Sequence, residues 1–377
     1  MNIKTFQTDS IAGLHREWSN HTTDGFSPVA AIVFASVSLP LPEVCAFFEE
    51  RSVRVFGAST CGEFLYDDRV QVISDGAMVC LLLDLKPGTF GIKMFGGADI
   101  TSRDLGKQAG AWAGQQFADP LILVMASGLN TDGEQLVRGI QEVLGEQAIL
   151  FGGLAGDDAR FVQPVVFTEQ RLDPKGSIVM VFDGNHYRLE GIATSGWVSI
   201  GADKVVTNSE GNIVYTIDNE PALDVYREYL NIREEELPEI GVEYPLLLKK
   251  KGMRDVLRAV TNVDREKKAL IFAGSVPTGS VVTFSSSPGF EIIETTVAEI
   301  ASFYEIHREA DILILFSCMA RHNALGPTIS EEISDAWKHW NRPLIGFFTY
   351  GEIGSHPNES CDFHNETFTM VALKELD

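Results

Sequence analysis

The sequence predicts a mixed α/β protein, two related mixed-sheet halves with repeated βαβ-like units and an antiparallel strand-rich bridge. Three observations carry that reading. A buried strand, an amphipathic helix and a second strand breaking into a glycine-rich loop recur three times along the 377 residues. These strands are apolar on both faces, the pattern of sheet covered from both sides. Between the second and third units, helical periodicity gives way to short alternating segments punctuated by Gly, Asn and Asp.

In chain order, Val29 to Ser38 is the first strand, LPEVCAFFEE the first helix and Val53 to Phe64 the returning strand. Pro42 suits a first helical turn, where its missing N–H is no loss. The second unit runs from LILVMASG through a helix carrying Leu136, Ile140 and Val143 or Leu144 at helical spacing, to Ala148–Asp158. The third runs from ILILFSC through a helix to Pro343–Gly354. Thr131 with Glu134, and Thr328 with Glu331, have capping-box spacing at the two later helix starts.

The bridge begins with strands at Gly176–Phe182 and Tyr187–Ile192, joined by the turn Asp183-Gly184-Asn185. GWVSIG and Lys204–Ile217 follow, the latter turning at Glu210-Gly211-Asn212. Pro221 then opens a helix, and the acidic IREEELPEIGVE reads as a solvated connection. From Tyr244 the segments YPLLL, MRDVLRAVTN, KALIFAGSV and VVTFSS suggest an antiparallel meander, broken at Lys249–Gly252, Pro277–Gly279 and Pro288-Gly289. A helix returns between Glu291 and Glu309. A boundary near residue 220 divides the chain into segments 1–220 and 221–377.

Composition narrows the function. Thirty Lys and Arg stand against 53 Asp and Glu, a net charge of −23 that repels phosphate backbones and anionic membranes. The longest oily runs are strand-length, and the N-terminus has no apolar leader core, so a non-secreted, cytoplasmic protein is expected. The five cysteines include no C-x-x-C, which fits a reducing compartment.

The candidate chemistry lies in loops at strand ends, where open sheets gather ligand-binding residues. Gly57–Glu63, Gly152–Asp158 and Tyr350–Gly354 bring Glu63, Asp157, Asp158 and Glu352. No loop is a P-loop, and carboxylates oppose phosphate. The four acids suit an ammonium group, or a general acid/base pair if burial separates their pKa values; glycines that merely permit tight turns are the other reading. Arg321 suits a carboxylate or a structural ion pair. Cys318, His322 and His364 are donors available to iron, and a histidine bonded to backbone is the alternative for each.

The ordered strings Gly57-Ala-Ser-Thr-Cys-Gly-Glu63, Gly152-Gly-Leu-Ala-Gly-Asp157 and Gly211-Asn-Ile-Val-Tyr215 resemble the FIST family, with its N-terminal and C-terminal FIST domains. So do Pro221-Ala-Leu-Asp-Val-Tyr226, Phe316-Ser-Cys-Met-Ala-Arg321, Gly346-Phe-Phe-Thr-Tyr-Gly-Glu352 and His364-Asn-Glu-Thr367, covering roughly residues 25 to 370. The resemblance implies small-ligand sensing in bacterial signalling, with amino-acid-like ligands. Some members resemble this chain in size and are haem-containing nitric-oxide sensors that regulate a separate histidine kinase. A haem b cofactor is then implied, with His364, His322 or Cys318 as its axial ligand. Two alternatives stay open: a haem-free metabolite sensor in which Arg321 meets a carboxylate and Glu63 or Glu352 an ammonium, and a small-molecule enzyme using the acidic loops.

Overall fold

The computed structural model describes residues 1–22, 25–97, 99–237, 239–250, 254–356 and 359–376. The three βαβ units are real, and each is parallel: Ala30–Ala35 with Arg54–Ser59, Pro120–Ser127 with Leu150–Ala155, and Ile312–Cys318 with Leu344–Thr349. Each nucleates a six-stranded mixed sheet. In every sheet the next neighbour of the first parallel strand is an antiparallel strand that comes later in the same unit: Met78–Asp84, Ser177–Asp183 and Phe368–Glu375. Beyond it lies the strand that opens the unit: Asn2–Thr8, Phe90–Phe95 and Tyr187–Thr194.

The far edge of each sheet comes from another unit. The hairpin Glu63–Tyr66/Gln71–Ser74 of the first unit completes the third sheet. The hairpin Val166–Phe167/Leu172–Asp173 of the second completes the first sheet, and Glu352–Gly354/Asp362–His364 of the third completes the second. The exchange closes a ring, so the body is a threefold pseudo-symmetric prism. Sequence neighbours within the prism are therefore clamped by partners hundreds of residues away.

A shared apolar core fills the prism, with Phe34, Phe56, Met125, Met180, Ile314, Phe316 and Phe347 all at 0 % exposure. The outer face of each sheet packs against its own helices: Ile11–His21 and Leu41–Glu49, Ser102–Gln116 and Gly133–Leu144, and Glu291–Ile306 and Ile329–Trp340. Double coverage explains the uninterrupted apolar strands, because an exposed face would demand alternation.

The strand-rich bridge is shorter than expected: Gly176–Phe182 and Tyr187–Ile192 belong to the second and third sheets of the prism, and only residues 198–286 form a separate insert, placed in the third unit between its opening strand and first helix. It is an eight-stranded antiparallel system wrapped around its own core, which includes Tyr226, Phe272 and Phe284. The mixed α/β stretches lie on either side of it in the chain, as the sequence predicts. Residue 220 falls within it, in the short strand Glu220–Pro221.

Local expectations are met unevenly. Pro42 does sit in the first turn of its helix, and Pro221 caps Ala222–Leu230. Asp183-Gly184-Asn185 joins strands of different sheets, since Ser177–Asp183 belongs to the second and Tyr187–Thr194 to the third. Asp132, not Thr131, caps the second-unit helix by accepting from the Gln135 N–H at 3.0 Å. Thr328 makes no side-chain cap and donates instead to the Leu325 carbonyl at 2.6 Å. The break expected at Lys249–Gly252 and the proline of IREEELPEIGVE lie partly outside the described residues.

Candidate functional site

Strand register aligns the three glycine loops. Gly57, Gly152 and Gly346 are equivalent, paired with Val33, Val124 and Leu315. Across the exchanged hairpins they face Phe167, Ile353 and Phe64. A side chain has no room there: a Cβ on Gly57 would lie 2.2 Å from the Phe167 ring, and one on Gly346 2.1 Å from that of Phe64. Gly57 and Gly346 let the next unit's hairpin lie flat on the strand, whereas a Cβ on Gly152 would meet the Val124 carbonyl of its own unit at 1.7 Å.

Six residues further on, the same alignment places Glu63, Asp158 and Glu352. Glu63 and Glu352 repeat one arrangement: each accepts from a threonine three residues earlier, Thr60 or Thr349, and from the backbone N–H that precedes the unit's last strand. That N–H belongs to Ala77 at 3.3 Å and to Thr367 at 3.2 Å. The Thr367 hydroxyl adds a bond to Glu352 at 2.7 Å. Burial dominates both carboxyls and pushes Glu63 up to about 8 and Glu352 to about 7, against the hydrogen bonds that pull down. They are internal struts closing their own loops.

The second unit differs. Asp158 is partly exposed, accepts from the Ser36 hydroxyl at 2.9 Å and pairs with Arg160 at 3.2 Å. Its neighbour Asp157 organises the following loop, accepting from the N–H groups of Phe161, Val162 and Gln163 at 2.9, 2.7 and 2.8 Å, and from the Tyr350 hydroxyl at 2.5 Å. Phe161 stacks on Tyr350, centroids 4.9 Å apart. The four acids thus gather at one end of the prism, with their oxygens turned to the protein's own donors.

Arg321 is fully buried and pairs with Glu332. Its remaining donors reach the Ser195 and Glu366 carbonyls and the Thr296 hydroxyl, so the whole guanidinium is engaged within the protein. It ties the start of the insert to the His364–Thr367 string. His364 bonds the Gly354 carbonyl through Nε2 at 3.1 Å, and burial holds it below the usual imidazole range. His322 stacks on Phe348 at 4.1 Å, also lowered by burial. Burial keeps the Cys318 thiol protonated. Among the described residues no group of three or more His, Cys, Asp or Glu is placed to hold a metal ion.

A cleft of about 530 Å³ lies between the insert and the third unit; a second hollow of about 590 Å³ lies over the third sheet beside Tyr66, Ile293 and Lys338. The body supplies the short helix Met319–Leu325, which leaves the strand Ile312–Cys318, through Met319, Ala320, Asn323 and Ala324. The insert supplies Val242, Glu243 and Tyr244, and its exit supplies Ser286 and Ser287. Phe161, Trp197 and Glu366 complete the wall. Trp197 is 9 % exposed and Glu366 1 %, yet Trp197 Nε1 and Glu366 Oε2 have no hydrogen-bond partner among the described residues. Buried polar atoms without partners cost free energy, and these two lie in the cleft wall. Sequence reasoning quoted the His364–Thr367 string without choosing Glu366, and passed over Trp197, Tyr244 and Phe161. These residues come from four separate segments with no spacing between them to read.

The fold is a mixed α/β scaffold with a cleft between its body and an inserted module; no helix among the described residues is long and apolar enough to cross a membrane. The FIST N domain model matches residues 29–220 and the FIST C domain model residues 222–355. The chain belongs to the FIST family, whose domains are small-ligand sensory modules of bacterial signal transduction. No curated protein matches it.

Proposed function

We propose that this chain is a non-enzymatic sensor that binds a small metabolite in the cleft between insert and third unit and passes the event to a separate signalling protein. The observation that carries the reading is the pair of unpartnered buried atoms, Trp197 Nε1 and Glu366 Oε2, in the wall of a cleft whose two sides belong to different modules. A ligand that satisfies both sides favours one relative position of the insert, and differential affinity for two positions is all that a population shift requires. The partner suggested by the resemblance is a histidine kinase. The resemblance also suggests amino-acid-like ligands, and the cleft volume suits molecules of that size.

The haem version fits these residues poorly. No histidine or cysteine lines the cleft among the described residues, and His364 opens instead on a hollow of about 90 Å³. That space is far below the 300–1,000 Å³ of ordinary cofactor sites.

The test places one dye on the insert and one on the body and records energy transfer while a metabolite set is titrated in. A saturable change for at least one compound, with parallel thermal stabilisation, is expected. No change with any compound overturns the sensor reading. Haem reconstitution followed by desalting runs alongside: a retained Soret band altered by His364→Ala would restore the haem version.

A further inference from the structure

The charge of the cleft says more than its shape. Its ionisable lining residues are Glu243 and Glu366; no Lys, Arg or His lines it among the described residues. Its aromatic walls are Phe161, Trp197 and Tyr244. The guanidinium of Arg321 lies 5.5 Å from the Trp197 ring centroid, and its donors are already engaged. Carboxylates and aromatic faces together form the environment that attracts organic cations. An anionic group in the same space would meet two glutamates and no lining cation among the described residues.

We propose that the cleft is selective for small organic ammonium ions, the cation pairing with Glu366 between the aromatic walls while Trp197 Nε1 donates to an acceptor elsewhere on the ligand. This assignment deepens the sensor reading of the same cleft and rests on it. It narrows the amino-acid-like class to its amine end, because among the described residues the lining holds no cation to pair with the carboxylate of a zwitterion. Burial and the neighbouring Glu352 hold the Glu366 carboxyl well above the usual range; an ammonium beside it supplies the counter-charge that lets it ionise. The overall charge of −23 raises the local concentration of such cations.

Calorimetric titration of the full chain tests this with four probes: choline, n-butylammonium, 3,3-dimethylbutanol as the uncharged shape-match of choline, and butyrate. Both cations are expected to bind at least tenfold more tightly than the alcohol or the anion. Glu366→Gln should weaken both cations about tenfold. Trp197→Phe should weaken choline, which carries a hydroxyl acceptor, and leave n-butylammonium unchanged. Where Glu366→Gln does not fold, Glu243→Gln at the exposed rim serves instead, with an expected loss of about threefold. Equal binding of the alcohol or of butyrate overturns the proposal, as does unaltered cation affinity in the glutamine variants. Failure of all four probes also overturns it, and the sensor reading itself then stands or falls on the energy-transfer experiment with the wider metabolite set.

Discussion

Replacing both Glu63 and Glu352 by glutamine should flatten the pH dependence of stability. Each carboxyl titrates near 4.5 in the unfolded chain and is raised in the fold, to about 8 and about 7. Between those limits the folded state holds the extra proton, so stability falls as pH rises, by about 1.4 kcal/mol per pH unit per group. The contribution is fully present below about pH 4.5 and is lost as pH rises through each folded value. From pH 6 to pH 9, Glu63 costs the fold about 3 kcal/mol and Glu352 about 1.4 kcal/mol, on the order of 4 kcal/mol together. Urea unfolding of wild type and double variant at pH 6 and pH 9 measures this directly. Groups common to both proteins cancel in the comparison, and glutamine keeps the acceptor oxygen for Thr60 and Thr349. An equal loss of stability in the two proteins would refute the strut assignment, because it would mean that neither acid is proton-bearing inside the prism.

Other perturbations probe other joints. Gly346→Ala puts a Cβ 2.1 Å from the Phe64 ring and 2.2 Å from the Leu315 carbonyl, and should cost about 3 kcal/mol in chemical denaturation, the upper end for overpacking. Arg258→Met breaks the buried bridge from the insert to Glu134 (3.3 Å) and the bond to the Phe363 carbonyl (3.0 Å); leaving Glu134 without this partner should cost about 3–5 kcal/mol in the same assay and speed proteolysis in the insert. Asp157→Asn replaces one of the two carboxyl oxygens that gather three loop N–H groups, and hydrogen exchange at Phe161, Val162 and Gln163 should quicken while the sheets keep their protection.

The repeated strand–helix–strand units were legible because double burial leaves long apolar runs and because Gly57, Gly152 and Gly346 recur before an acid. The hairpin exchange was not, since no local signal tells Glu63–Tyr66 to pair with Leu344–Thr349 rather than with its own unit. The same long-range pairing made Glu63 and Glu352 look like ligand-facing acids, when their oxygens bind Ala77 and Thr367. Arg321 carried the right residue type for recognition, and only the positions of Glu332, Ser195 and Thr296 reveal that it is enclosed. The cleft was hidden for a topological reason: an insert of residues 198–286 brings Tyr244 and Ser286 over a helix that begins at Met319.

That topology carries its own prediction. The insert enters and leaves the third unit through an antiparallel pair, Val198 opposite Ser286. Directly opposed residues in such a pair lie about 5 Å apart, so a two- or three-residue turn can replace the whole module without moving Trp197 or Ser287. The prism behind it is closed on itself by the three exchanged hairpins, and among the described residues none of its sheets takes a strand from the insert. Joining residues 197 and 287 through Gly-Ser should therefore leave a protein that unfolds cooperatively, weakened by exposure of Glu134 and of the cleft floor. It should lose ligand binding altogether, because Glu243 and Tyr244 leave with the insert. Failure to fold would show that the insert is a structural brace of the third unit, and the movement on which the sensor reading depends would then lack a free element to carry it. A folded prism that still binds the ligand would move the site off the joint between modules and onto the body alone.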